Sequence, residues 1–428
     1  MPFKQLQSRC AAVLVAMLLH PLTNAWAITT ADVLPKGVRV GAFIYGRSAN
    51  IDSSFNSSGD VEFLARPINR SIPLSDLVSA EPQLEDLRVA LNAMGPDKLG
   101  DQLLQLDLYQ DIGVSEARAV PALLWGISDR LTLGIIVPVV HRVTTANFSV
   151  KSINNAGGIQ DIIGKVPQIY EGLDKVKNAP LDADTIGAAI FQKNGFITPS
   201  SFEVTSLGDI ELEARYRYYL SSPFKLALRA GVRMPTASHV VDIRNVLDRP
   251  TGQGNVSFRV GSFHDYLLVQ KLGPVSLSFN TAAGLNVHLP ASQLMAVRKT
   301  PDQILPDLND PTQVETVRRW KGADTSVSAG LMADFWGGAV SLSATYLYEI
   351  HAKDRYWGAN NNDYAGLEAN TFNTLHSLDF GIELSSLPLY LNKQAMIPAK
   401  ICFDWVQPVG GVNGIYAPYG RVDFVIFF

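Results

Sequence analysis

The sequence is poor in cysteine, in charge and in long apolar runs. Two cysteines in 428 residues exclude a disulfide-built scaffold. Charged residues make up only 18%, below the usual ~25%, and the net charge of −4 carries no basic excess, so a nucleic-acid binder is excluded as a class. After residue 27 no uninterrupted apolar stretch approaches the ~18 residues of a membrane-crossing helix. Hydrophobic residues still reach 47%, which argues against disorder, and the length exceeds what one soluble core usually serves.

The first 27 residues read as a secretory signal peptide. Lys4 and Arg9 form a positive start, Ala11 to Leu19 an apolar core, and Ala25-Trp26-Ala27 a small-x-small cleavage site. Cleavage after Ala27 removes two positive charges and Cys10, leaving Cys402 alone. An exported chain without a helical span is either soluble or a β-barrel.

What the chain has in quantity is period two. Val275, Leu277, Phe279, Thr281, Ala283, Leu285, Val287 and Leu289 fall on one face, and Ser276, Ser278, Asn280, Asn286 and His288 on the other. Phe224 to Met234 and Val340 to Ile350 alternate in the same way. Successive side chains of a strand point to opposite faces, so each segment has one oily and one wet side. A soluble sandwich alternates too. These strands are longer than the ~5–6 residues usual there. Aromatics gather at segment ends (Tyr216, Tyr218, Tyr346, Tyr348, Trp405, Tyr416, Tyr419), as in membrane-interface girdles. The pattern predicts an all-β fold, a transmembrane antiparallel β-barrel of 12–14 strands in a Gram-negative outer membrane. The last strand carries Phe424, Ile426 and Phe428 on one face and stops at a terminal Phe, which resembles the assembly signal of outer-membrane barrels.

Twelve candidate strands cover 102–113, 118–126, 130–141, 203–219, 223–234, 255–270, 274–289, 323–336, 339–351, 374–386, 398–408 and 416–428. With the last strand ending in the periplasm, four of five periplasmic turns are short. The external connections are 114–117, 142–202, 235–254, 290–322, 352–373 and 409–415, and four of these six are long, the asymmetry of such barrels. Residues 28–101 are expected to form an N-terminal plug or a periplasmic extension, with 102–428 as the barrel. Within 28–101, Val38 to Tyr45 and Asp60 to Leu64 read as a further strand pair, which would make 14, and Ser79 to Met94 as a helix.

The 142–202 segment has helical period. Ile159, Ile162, Ile163, Val166, Ile169 and Tyr170, then Ile186, Ile190 and Phe191, form oily faces, with Pro167 interrupting the first and Gly195 closing the second. These are the candidate ligand-binding residues, for capture of greasy solutes, unless the segment only shields the rim. Candidate lumen charges are Asp209, Glu211, Glu213, Arg215 and Arg217 on one strand and Lys225, Arg229 and Arg233 on the next. If Arg217 faces Lys225, then Glu213 faces Arg229 and Asp209 faces Arg233. Such a ladder closes the interior structurally or lines a selective pore.

Catalytic signals are weak. His141, His239, His264, His288, His351 and His376 show no metal-ligand spacing. A phospholipase using Asn286 and His288 would need its Ser from a neighbouring strand, because Ser276 and Ser278, ten or more residues away on the same strand, cannot meet His288. Asp307 to Asp310 and Asn360 to Asp363 suit turns better than Ca²⁺. No metal or organic cofactor is called for.

Trp125-Gly126-Ile127-Ser128-Asp129-Arg130-Leu131-Thr132-Leu133-Gly134 followed by Val137-Pro138 resembles a hairpin of outer-membrane proteins linked to phenol meta-pathway degradation. Gly208-Asp209-Ile210, Met234-Pro235-Thr236 and Thr251-Gly252-Gln253-Gly254 match the same pattern, which covers roughly 100–290 and departs at Ala237. These relatives are grouped with the long-chain fatty-acid transporter barrels. The resemblance implies passive uptake of hydrophobic or aromatic small molecules. The rivals are a structural or adhesive barrel and an open aqueous porin. The expected partners are membrane lipids and lipopolysaccharide, the barrel-assembly machinery met after export through the periplasm, and the hydrophobic solutes.

Overall fold

A computed structural model describes residues 30–64, 70–73, 85–93, 104–154, 191–301, 303 and 305–428. In chain order the first half holds β1 (Arg39–Ser48), β2 (Ser53–Phe55), β3 (Val61–Phe63), β4 (Arg70–Pro73), α1 (Glu85–Ala93), β5 (Leu104–Ser128), β6 (Leu131–Ile136), β7 (Val139–Asn154), β8 (Phe202–Leu207), β9 (Ile210–Leu220) and β10 (Phe224–Met234). The second half holds β11 (Ser257–Leu272), β12 (Val275–His288), β13 (Ala291–Ala296), β14 (Val314–Trp320), β15 (Asp324–Phe335), β16 (Val340–His351), β17 (Arg355–Trp357), α2 (Tyr364–Glu368), β18 (Asn373–Ser385), α3 (Leu387–Leu391), β19 (Ala399–Val412), β20 (Ile415–Tyr416) and β21 (Tyr419–Phe427).

Twelve strands close into one antiparallel barrel in the order β1-β21-β19-β18-β16-β15-β12-β11-β10-β9-β6-β5, with β5 returning to β1. Closure removes every free edge within the ring, which a lipid-embedded sheet requires because nothing in the hydrocarbon can pair with an open N–H or C=O. The seam is made by β1, with Val40 opposite Phe427 on one side and Leu124 on the other. The Phe428 N–H and C=O both bond to the Arg39 backbone.

Of the 12 to 14 strands expected, twelve form the barrel, and by a different list. Residues 102–113 and 118–126 are not two strands. β5 runs through 114–117 without a turn, because Ile112, Val114, Glu116, Arg118 and Val120 keep one pleat face, and Ser115 and Glu116 only imitate turn chemistry. The strand thereby lost is replaced by β1. The proposed partner of β1 pairs elsewhere: β3 joins β2, and β2 joins β20, in a small sheet at the outer rim. β7 also carries the wall to Asn154, well past the predicted loop start at 142. The Ser79–Met94 helix is found as α1 over the described part of that stretch. The signal peptide lies outside the described residues.

The alternation sorts side chains as expected. Phe43, Leu123, Trp125, Tyr216, Tyr218, Leu228, Phe258, Tyr346, Phe380, Trp405 and Phe424 face outward and are exposed. Ser278, Asn280, Arg233, Arg259, Ser328 and Ser377 face inward and are buried. Two expected girdle residues depart from this. Tyr419 lines the interior, and Tyr416 packs edge-on against Phe55 at the rim. The predicted short turns at Asp129-Arg130, Ser221-Ser222, Gly273-Pro274 and Gly337-Gly338 all lie at one end.

Leu228→Arg places a cation on the lipid face and should destabilise the barrel by ~2–4 kcal/mol, while Ser343→Lys on the inner face should cost much less. Urea unfolding of the two variants in lipid vesicles measures both. Equal losses would contradict the assignment of the two faces.

Candidate functional site

Inside β9 to β12 the charged ladder is present with its register two residues away from the expected one. Arg217 lies opposite Ala227, Arg215 opposite Arg229, Glu213 opposite Gly231 and Glu211 opposite Arg233, with a bulge at Leu226/Ala227. The predicted pairs Arg217–Lys225, Glu213–Arg229 and Asp209–Arg233 are therefore not direct neighbours. A shift of two keeps every side chain on its predicted face, so hydrophobic patterning could not detect it. Glu211 is the hub. One of its oxygens takes Arg233 Nε at 2.8 Å, the other takes Arg259 Nη1, and Arg259 Nε donates to Asn286 Oδ1. Glu213 holds Arg215 at 3.3 Å and lies 3.9 Å from Arg229. Both of those guanidinium groups lie over the Phe263 ring, at 4.4 and 5.5 Å from its centroid. A ring face attracts cations, so Phe263 supplies part of the counter-charge that two glutamates against four arginines leave missing. Arg259 and Phe263 were not singled out from sequence, because their strand carries no second charge cluster to mark it.

The N-terminal residues enter this wall. Ala31 N donates to Asp265 Oδ2 at 2.9 Å, Arg215 donates to the Thr30 carbonyl, Lys225 pairs with Asp32 at 2.9 Å, and Leu34 N donates to Thr132 Oγ1. Ala31 is fully buried against Ala227 and Phe263. The chain leaves over Gly126, where a Cβ would meet the Pro35 carbonyl at 2.0 Å. So a strip of about seven residues, 30–36, crosses the lumen here. Of the stretch 28–101 expected to be a plug or an extension, the residues that follow the strip form the wall strand β1.

Three of the segments quoted for the family resemblance, those around Asp209, Thr236 and Gly252, meet at one carboxylate. Asp209 interrupts the wall between β8 and β9, opposite the break at Val137-Pro138, where proline cannot continue the ladder. Its oxygens accept from Ala237 N at 3.3 Å and Gln253 N at 2.6 Å. Thr236 Oγ1 accepts from Ile210 N and donates to the Gly208 carbonyl. Gly252 lies so close that a Cβ would sit 2.3 Å from Asp209 Oδ1. This knot ties both ends of the 235–256 connection, which folds inward rather than out. Asp248 fixes the loop by accepting from His239 at 2.6 Å and from Asp242 N. Leu247 is then buried against Ile112 and Ala146. Arg142 binds Glu116 through Nε and Nη2 and gives Nη1 to the Arg249 and Pro250 carbonyls.

Two cavities lie between these described elements. The larger, about 120 Å³, lies in the outer half of the lumen between Val114, Leu247, Leu347, Leu375, Val406 and Ile415, with charged groups around it. The smaller, about 60 Å³, is lined by Arg118, Asp209, Glu211, Arg233 and Arg421. Tyr419 borders both.

Above the barrel β13, β14 and β17 form a second sheet over a core of Val297, Val317 and Tyr356. Where it joins the barrel, Asp324 bonds His288 and His351, and His351 bonds Asp354, which takes Arg319 at 2.7 Å. His288 thus has a carboxylate partner, and among the described residues no serine hydroxyl reaches it, so the phospholipase arrangement is not assembled. The Asp307–Asp310 and Asn360–Asp363 stretches are turn-bonded. Asp310 takes Lys299 and Thr312, and Asp363 caps α2. Glu315 gathers Tyr364 Oη, Asn362 Nδ2 and the Ala359 and Asn360 N–H groups. Burial opposes its charge, but these donors hold the carboxyl below the usual range, and Tyr364 is pushed up to about 12.

Of the candidate loop residues, only Phe191 lies in the described part, and it is buried at a turn that Gly195 closes with a positive φ. Ile159, Ile162, Ile163, Val166, Ile169, Tyr170, Ile186 and Ile190 lie outside it.

No family model matches the chain, and no curated protein sequence matches it. Among solved structures, an outer membrane channel from Pseudomonas putida F1 is 10% identical over 93% of this chain and 98% of its own, with a TM-score of 0.49. The transport unit of the autotransporter AIDA-I from Escherichia coli is 7% identical over 99% of each chain, with a TM-score of 0.36. The KdgM porin is 8% identical over 75% of this chain and 98% of its own, with a TM-score of 0.27.

Glu211→Ala leaves two buried arginines without their carboxylate and should cost ~3–5 kcal/mol of stability in a urea titration. Glu315 yields a pH dependence. Its folded pKa is lowered, so its contribution is complete above the unfolded value of ~4.3 and is lost as pH falls through the lowered folded value. Limited proteolysis of 291–372 should therefore accelerate below about pH 4, and Glu315→Gln should flatten that response.

Proposed function

We propose that the protein is an outer-membrane channel for passive uptake of small hydrophobic or aromatic molecules. The observation that carries this is the larger cavity, an apolar-walled chamber in the lumen of a closed barrel whose exterior is oily. A closed barrel of this kind belongs in an outer membrane, reached through the periplasm, with lipid and lipopolysaccharide around it. The open-porin reading is disfavoured by the two segments that cross the lumen, residues 30–36 and the inward loop 235–256. A wide aqueous pore would gain nothing from a chamber lined by Leu247, Leu347, Leu375 and Val406. The phenol-degradation family pattern supports the same solute class, and the residues that carry it (Gly208, Asp209, Thr236, Gly252, Gln253) build the knot that holds the loop in. Such a channel works without a catalytic step.

In planar bilayers the full chain should conduct ions weakly, and in liposomes it should admit a small aromatic faster than a sugar alcohol of similar mass. Asp209→Ala, which frees the loop, should raise ion conductance several-fold. A large steady conductance from the unaltered chain, with no preference for the aromatic, would remove the basis of this reading.

A further inference from the structure

One face of the sheet above the barrel takes no part in the lumen. Along β14, Glu315, Val317 and Arg319 are buried, while Thr316, Arg318 and Trp320 are exposed. The buried face looks toward the lumen, because Arg319 joins Asp354 and through His351 reaches Asp324, and both His351 and Asp324 line the larger cavity. The other face therefore looks away from it. That face carries Leu294 on β13 opposite Thr316, and Trp357 and Arg355 on β17 opposite Arg318 and Trp320. Trp320 is 52% exposed and Leu294 55%. The Arg318 guanidinium lies over the Trp357 ring, 5.7 Å from its centroid, and among the described residues it forms no ion pair. Arg355 and Lys353 share one carboxylate, Glu368, so the patch keeps a positive excess.

This face stands on the lipid-facing wall. β12 exposes Leu285, Val287 and Leu289 just before β13 begins, and β15 exposes Val327. Three residues, 321–323, separate Trp320 from β15, and three, 352–354, separate β16 from Arg355. The headgroup layer of one leaflet is ~5–8 Å thick, so Trp320, Arg355 and the adjoining Arg318 and Trp357 stand at its level. The short turns lie at the opposite end, which makes this the outer leaflet.

We propose that this face is a docking site for lipopolysaccharide, with Arg318 and Arg355 on the phosphates of its lipid A headgroup and Trp320 and Trp357 against the sugar rings and the tops of the acyl chains. A guanidinium meets phosphate with a planar fork of donors, and the ring contact steadies Arg318 while leaving its N–H edge free. Tryptophan suits the boundary between acyl chain and headgroup, having an apolar body and one N–H. Phosphatidylglycerol has a single phosphate and no sugar ring, so it fits only part of this pattern. Docking ties the outer sheet, and with it Asp354 and His351 at the mouth of the lumen, to the membrane surface.

The test titrates the full chain in detergent with lipid A, its monophosphoryl form and phosphatidylglycerol, and counts bound lipid by native mass spectrometry. Each barrel should retain one lipid A, hold the monophosphoryl form at least fivefold more weakly, and not exchange lipid A for phosphatidylglycerol. Arg318→Gln with Arg355→Gln should weaken lipid A at least tenfold, and Trp320→Ala with Trp357→Ala at least fivefold. Arg39→Gln, which removes the matching Arg39–Trp125 contact at the opposite end, should change nothing. Heat-modifiable migration reports that each variant has folded. If lipid A and phosphatidylglycerol bind alike, if Arg39→Gln weakens lipid A as much as the double Gln variant does, or if the double Gln variant keeps full affinity, the docking site is wrong. A dimer that the Trp variants lose and that lipid A leaves intact would give the face to a second copy of the chain instead. None of these outcomes bears on the uptake reading.

Discussion

The structure depends on satisfying every backbone donor and acceptor in a sheet wrapped by hydrocarbon. A flat sheet cannot do this, because its two edge strands have no partner and the bilayer offers none. β1 resolves the problem here. It lies between β5 and β21, so the beginning and the end of the chain must meet before the sheet has no edge. That one pairing explains why the terminal Phe428 is tied to Arg39 through its backbone, and why Arg39–Ser48 is a wall strand.

Closure creates a second constraint. Half of every strand points inward, into a space narrow enough that charged side chains are largely desolvated. The interior responds by pairing. Glu211 with Arg233 and Arg259, Glu116 with Arg142, and Asp404 with Arg421 each span neighbouring strands or a short reach across the lumen, and Arg118 joins Glu116 from the same strand. Where carboxylates run short, the Phe263 ring face takes part of their place under Arg215 and Arg229. These contacts stabilise mainly by avoiding the penalty of leaving a buried charge alone.

The obstruction of the lumen is held by few contacts. The N-terminal strip depends on Asp265, Thr132 and an exposed Lys225–Asp32 pair. The inward loop depends on the Asp209 carboxylate, the Thr236 hydroxyl and the packing of Leu247. Small polar knots of this kind open at lower cost than a packed core does, which suits a chain whose lumen must hold a solute and then let it pass.

From the sequence by itself, the all-β class, a barrel of 12 to 14 strands, the sorting of Phe424 outward and Arg233 inward, and the short turns at one end were determined. All of these follow from a period-two pattern that is local and strong. Which twelve strands they are was decided only by tertiary structure. Ser115 and Glu116 carry turn chemistry inside β5, and the role of β1 depends on a strand some 380 residues away. The candidate site divides the same way. The eight lumen charges keep the alternation expected of them, whereas their register and the knot at Asp209 were not legible. A two-residue slip leaves the pattern unchanged, and a loop looks the same in sequence whether it folds out into water or in. Only the closed wall, which gives the Asp209 carboxylate and Leu247 their partners, makes that choice.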